Sequence, residues 1–342
     1  MADQVAGRSL SEILEGHLPL TANRSLIEAV EAERDRPLMT VVLVRGARLN
    51  AEMMHPLTDV MDALSEKADG TIDVLAEHLG AACEESWRLV SSLREFFDGY
   101  DALIPFAAST AASQVALGAD HLVMGPMASL APTEPVRIRL ADLEGQRKLP
   151  VTADDFRHFI EFLDSGIDVQ GIPLGELGAG LVDRLDPLVV GATEKARRLQ
   201  RQIARHCLES HLSGPDNAQQ VEQILDAMCG GLLSHNFPVT RRDCEKRLGL
   251  SVVRPARALR GALRALHDYY EQMLAIEGDF LWHDRHFSVN FEGFIDIASE
   301  RRVLVRLDRV DERGRPLSDK PAMRRWIKPG GQDVVMNEPV EL

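Results

Sequence analysis

The residue types able to do chemistry gather in three stretches of the chain. Ile72 to Ala81 ends in Glu77-His78-Leu79-Gly80-Ala81, Pro105 to Asp120 carries the hydroxyls of Ser109, Thr110 and Ser113, and Val123 to Pro132 runs through Gly125-Pro126. Each contains or adjoins a strand end that turns into small residues, and sites in open α/β sheets collect at the C-terminal ends of strands. A hydroxyl at a helix N-terminus is a common nucleophile position, because the free N–H groups there can hold an oxyanion. Such a nucleophile also needs a base. No lysine lies between Lys67 and Lys148, so a lysine base must come from outside these stretches. His78, His121 and His235 are the histidine candidates. Plainer roles stand beside these. Thr110 suits a helix N-cap, Ser109 and Ser113 local hydrogen bonding, and Gly80, Asp120 and His235 turns. His78 and His121 suit hydrogen-bonded structural positions.

The elements that must position these residues follow from periodicity. Arg24 to Arg34 reads as an amphipathic helix stopped by Pro37. Thr40 to Val44 is a mostly β-branched run suited to a strand buried on both faces. Helices are expected at about Pro56 to Leu64, Glu84 to Phe97 and Thr110 to Ala119. Strands are expected at Ile72 to Ala76, Ala102 to Phe106 and His121 to Met124. Strands alternating with helices at this spacing imply βαβ units and a parallel sheet. Beyond residue 150 the pattern turns helical, over Asp183 to Ser210, Gln219 to Met228 and Arg241 to Leu248. Phe287 to Val310 alternates like paired strands, and a loose tail is expected from about Gly314. The expected organisation is a lead-in over 1–23, an α/β core over 24–150, a helical portion over 151–286, and a β-hairpin with tail over 287–342.

Composition excludes several classes. The 342 residues are 45% hydrophobic and 27% charged, the range of a globular domain. No apolar run reaches the roughly 18 residues of a membrane span, and no secretory leader is visible at the start. Four cysteines without C-x-x-C spacing argue against a disulfide framework or a zinc site and fit a reducing cytoplasm. The formal charge of −14 argues against a nucleic-acid coat protein. The charge is uneven, however, since Arg241 to Arg264 holds eight basic residues and two acidic ones. A helix-turn-helix there would need a recognition helix facing a groove. A solvated or subunit-contact face is the preferred reading, and nucleic acid is not an expected partner.

The three stretches resemble the serine dehydrogenase proteinase family, relatives of ClpP and the signal-peptide peptidase SppA with a crotonase-like fold. The resemblance rests most on Ala116-Leu117-Gly118-Ala119-Asp120 and Met124-Gly125-Pro126. It extends over Arg24 to Val44, Ser234 to Val239 and Cys244 to Leu250, about residues 24 to 270. It implies a ClpP/crotonase-like α/β core, peptide-bond hydrolysis by acyl transfer, assembly into homo-oligomers, a peptide or protein substrate, and no metal or organic cofactor. By the same resemblance Thr110 stands at the nucleophile position and His235 is the best-placed histidine. Backbone N–H groups at Gly80, Ala81 and Ala111 would hold the oxyanion.

The chain is a divergent member on this reading. The family's Pro-Gly-Gly turn is Leu79-Gly80-Ala81 here, and its Ser-Ala-Gly-Thr is Thr110-Ala111-Ala112-Ser113. Alanine resists the positive φ that glycine permits, so the oxyanion turn is expected to be misshapen. Two functions follow: a peptidase using Thr110, or an inactive oligomeric scaffold or peptide-binding pseudoprotease that kept the fold.

Overall fold

The computed structural model describes residues 20–132, 138–141, 148–151, 155, 158, 161, 162, 187–230 and 237–329, apart from 46, 48, 69, 81, 82, 276, 283, 284, 312 and 319. The first strand, β1 (Leu38–Leu43), is buried at every position, as its unbroken apolar run requires. It pairs in parallel with β2 (Thr71–Glu77), which pairs with β3 (Gly99–Ile104), then β5 (His121–Met124) and β10 (Val252–Val253). The crossovers carry α2 (Met54–Ser65), α3 (Cys83–Phe96) and α4 (Thr110–Leu117).

Period-two alternation sends successive strand residues to opposite faces. Met39, Val41, Ile72 and Val74 pack with α2, α3 and α4, and with α5 (Pro187–Glu209) and α6 (Ala218–Met228). Leu38, Val42, Leu75 and Leu103 pack instead with α1 (Leu20–Arg34) and α8 (Arg257–Leu274). The protein is thus an α/β structure with helices on both faces of one sheet. No helix among the described residues is long and apolar enough to cross a membrane.

The C-terminal strands continue this sheet. The expected hairpin is present as β12 (Arg285–Ile297) and β13 (Glu300–Arg309). β12 lies antiparallel against β1, with Thr40 opposite Asp296, so the hairpin extends the core sheet. The region after Gly314, expected to be a loose tail, supplies β14 (Met323–Ile327) on the outer side of β13. β11 (Glu277–Trp282), which periodicity did not single out, pairs with β12. In the basic segment, α7 (Arg241–Lys246) and α8 are separated by β10 at the sheet edge. They are therefore not joined by the tight turn of a helix-turn-helix.

Two buried polar clusters tie the layers together. Asp296 is fully buried and accepts hydrogen bonds from Asn23 of α1 (2.5 Å), Tyr270 of α8 (2.9 Å) and Arg301 of β13 (3.1 and 3.2 Å). Thr40 of β1 shares a 2.6 Å hydrogen bond with the Tyr270 hydroxyl. Near the opening of the parallel strands, Arg34 of α1 grips Asp73 of β2 at 2.8 and 3.0 Å and Asp101 of β3 at 2.6 Å. Gly118, just past α4, has a packing reason. A Cβ there would lie 2.6 Å from the Tyr100 hydroxyl and 2.7 Å from Val90, and that hydroxyl donates to the Val115 carbonyl.

Candidate functional site

The N-terminus of α4 lies against the turn that follows β2. Ser109, not Thr110, occupies the N-cap, with extended backbone (φ −71°, ψ 174°). Its hydroxyl does not cap the helix but donates to the Leu79 carbonyl at 2.8 Å. Thr110 is the first helical residue and is buried. Its hydroxyl is not the helix cap, and among the described residues it has no hydrogen-bond partner and no base beside it. Ser113 has the local role expected of it: its hydroxyl donates to the Ala108 carbonyl (3.1 Å) and accepts from the Ala131 N–H (3.0 Å). The acceptor belongs to, and the donor directly follows, a small sheet of β4 (Ala107–Ala108), β6 (Ser129–Leu130) and β9 (Val239–Thr240).

Two of the three expected oxyanion donors, Gly80 and Ala111, are occupied. The Gly80 N–H donates to the Ala47 carbonyl at 2.8 Å, and the Ala111 N–H donates to the Leu79 carbonyl at 3.3 Å. An N–H satisfied by a backbone carbonyl must break that bond before it can stabilise a developing negative charge. Ala81 and His235 lie outside the described residues. Asp120 is an acceptor at a turn, as expected, taking hydrogen bonds from Arg94 and the Tyr100 N–H. His121 is exposed and bonds Ser251 at 2.6 Å.

What the structure does assemble at this end of the sheet is a pair of imidazole–carboxylate contacts. Glu77 is the last residue of β2, and alternation turns its side chain towards α8. His267 of α8 meets it through Nδ1, at 2.8 and 3.0 Å from the two carboxylate oxygens. One turn further along α8, Glu271 meets His78 Nε2 at 2.5 Å. Arg45, just after β1, approaches Glu271 at 3.5 Å. The two imidazole rings are 6.4 Å apart, and Phe106, which follows β3, packs on His267 at 4.6 Å. His78 has φ +56°, a left-handed conformation that is uncommon outside glycine and costs about 1 kcal/mol or more. Of this cluster the sequence reading singled out only His78 as a candidate base.

The Glu77 hydrogen bond raises the His267 pKa above its ordinary value, against burial, which opposes it. Burial alone would raise the Glu271 carboxyl, but His78 and Arg45 beside it bring it below the usual range. A carboxylate fixing one imidazole nitrogen leaves the other as a proton donor or acceptor, and it also pins the ring. Here the pinning fastens α8 to the end of β2. A raised folded pKa means the native state binds the proton more tightly than the unfolded chain. The contact's stabilisation is therefore complete below the unfolded pKa and lost as pH rises through the folded one. Urea unfolding from pH 5.5 to 8.5 should show this contact's contribution declining towards the alkaline end. In His267→Gln that decline should largely vanish, and an unchanged pH profile in the variant would contradict this account.

No protein-family model matches the chain, and no curated protein matches it.

Proposed function

We propose that the chain is a divergent relative of the ClpP/SppA-type peptidases that has kept a crotonase-like core while losing acyl transfer at Thr110. On this reading it works in the cytoplasm as an oligomeric, peptide-binding scaffold. The observation that carries the reading is the state of the would-be catalytic turn. Gly80 and Ala111 have both spent their N–H groups on backbone carbonyls, and the Thr110 hydroxyl has no base beside it among the described residues. The departures from the family pattern at Ala81, Thr110 and Ala112 point the same way, because they remove the glycines and the serine on which the chemistry depends. Ala111 and Ala112 are fully embedded in the core.

The test compares wild type with Thr110→Ala on unfolded casein and on short fluorogenic peptides. Turnover is expected to be at background in both proteins. Binding of a fluorescent casein peptide, followed by anisotropy, is expected to persist in both. Cleavage by wild type that disappears in Thr110→Ala would overturn the scaffold reading in favour of a threonine peptidase.

A further inference from the structure

The outward faces of α2 and α8 carry opposite charges at the same spacing. On α8, Arg257, Arg260 and Arg264 are all exposed. Arg257 has no hydrogen-bond or ion-pair partner among the described residues. Arg260 reaches only the Pro255 carbonyl at 3.0 Å, and Arg264 lies 3.6 Å from Asp268 with 73% of its side chain in solvent. Offsets of three and four residues place the three guanidinium groups on one helical face. On α2, Asp59 and Asp62 are exposed, and Glu66 follows as the helix's C-cap in helical conformation. These three acids have the same offsets of three and four. Asp59 touches Arg302 at 3.1 Å yet is 60% exposed, while Asp62 and Glu66 form no ion pair among the described residues.

A second observation concerns α8 alone. Gly261 sits in the second turn of this 18-residue helix, exposed, and a Cβ built on it would meet nothing within 4 Å. Glycine inside a helix is unfavourable relative to alanine, and no close approach within the molecule accounts for it. Exposed Ala258 and Ala265 flank it. The ridge beside the arginines is therefore low enough for another helix to lie close.

We propose that α8 of one molecule docks beside α2 of a second copy of this chain, with the helices running the same way. Arg257 then meets Asp59, Arg260 meets Asp62, and Arg264 meets Glu66. The two helices lie on opposite faces of the sheet, so one molecule cannot satisfy itself. The contact is head-to-tail, and it closes into a ring or extends as a filament according to its rotation. The charge distribution supports a copy of the chain as the partner. Arg241 to Arg264 contributes +6 of a total of −14, leaving −20 on the remainder. Each molecule thus offers one basic segment, which includes the exposed arginines of α8, to the otherwise acidic chain of the next. The inference rests on these two helical faces and not on the fate of Thr110.

Sedimentation velocity of the full chain at low and high salt tests it. Exposed ion pairs are individually weak and screened within about 8–10 Å at physiological salt. Assembly should therefore weaken about tenfold or more between ~50 mM and ~500 mM salt. The triple variant Arg257→Glu, Arg260→Glu, Arg264→Glu should be monomeric at low salt, and so should Asp62→Arg, Glu66→Arg. An equimolar mixture of the two should assemble again, because each then supplies the charge the other lacks. Gly261→Gln should weaken assembly without lowering the urea midpoint, which covers the case of a charge variant that fails to fold. A wild type that is monomeric at low salt would overturn the proposal, as would variants that assemble like wild type or a mixture that stays monomeric. Loss of binding to an acidic polymer such as heparin or DNA, with assembly unaltered, would assign the arginines to a different partner and equally overturn it.

Discussion

Replacing Arg301 with methionine should cost about 3–5 kcal/mol of folding stability. Arg301 is 1% exposed and Asp296 is fully buried. Burial alone would lower the Arg301 guanidinium pKa, and the Asp296 carboxylate more than reverses that. The guanidinium also lies over the Phe294 ring at 5.4 Å and the Tyr269 ring at 5.6 Å. Methionine would fill much of the same space but leave the Asp296 carboxylate buried with only the donors on Asn23 and Tyr270. Asp296→Asn should cost a comparable amount, since it strands the guanidinium instead. The double variant Asp296→Asn, Arg301→Met removes both charges and should recover more than half of the loss. That non-additivity is the signature of a coupled pair, and urea midpoints with unchanged m-values would measure it. Additive single losses would contradict the pairing. The cost would not stay local, because Tyr270 hydrogen-bonds Asp296 from between His267 and Glu271 on α8. Loosening the network frees the helix that carries half of the imidazole–carboxylate cluster.

Four of the parallel strands were legible in the sequence, because burial on both faces demands mostly apolar runs such as Thr40-Val41-Val42-Leu43, whereas the short β10 was not. β1, β2, β3 and β5 lie within three residues of their expected bounds. The antiparallel extension was partly hidden. β14 reads Met323-Arg324-Arg325-Trp326-Ile327, and an edge strand can carry paired arginines that a window of hydrophobicity reads as loop. The site divides the same way. The Leu79-Gly80 stretch after β2 and the α4 N-terminus lie against each other, and local composition marks both. Their hydrogen bonding was not foreseeable, because it depends on Ala47 and Leu79 carbonyls brought in by folding. His267 and Glu271 escaped notice because their partners are 190 and 193 residues away. The only trace of them is the apolar stripe of Leu259, Leu263, Leu266, Tyr270 and Met273, which puts 267 and 271 on the flank of a buried face. Basic residues from Arg241 to Arg264 were visible as a cluster. Their matching to α2 needed the knowledge that both faces are exposed.

Arg34→Met should be the second large loss, about 3 kcal/mol at neutral pH, and the loss should shrink in acid. Asp73 and Asp101 stand opposite each other on β2 and β3, with side chains 1% and 2% exposed. Two carboxylates this close repel, and Arg34 bridges them. Burial already raises the Asp73 pKa, with Arg34 pulling it down and Asp101 pushing it up. Removing Arg34 deletes the downward pull, so the Asp73 pKa rises further in the variant. A carboxyl whose folded pKa is raised is easiest to accommodate when protonated. Its cost is therefore absent below the unfolded pKa and appears in full as pH rises through the folded one. Arg36, 2.7 Å from Asp101 and partly exposed, keeps that second carboxylate paired and holds the loss near the lower end of the range. The measurement is the difference in unfolding free energy between wild type and Arg34→Met from pH 4 to pH 8. A difference that grows with pH supports a bridge between buried carboxylates. A flat difference would mean that Arg34 contributes packing through its aliphatic stem and not charge. Because α1 is fastened to the sheet through this arginine and packs against α8, the same variant should also raise hydrogen exchange along α8. The nearest structural consequence would be a looser contact between His267 and Glu77.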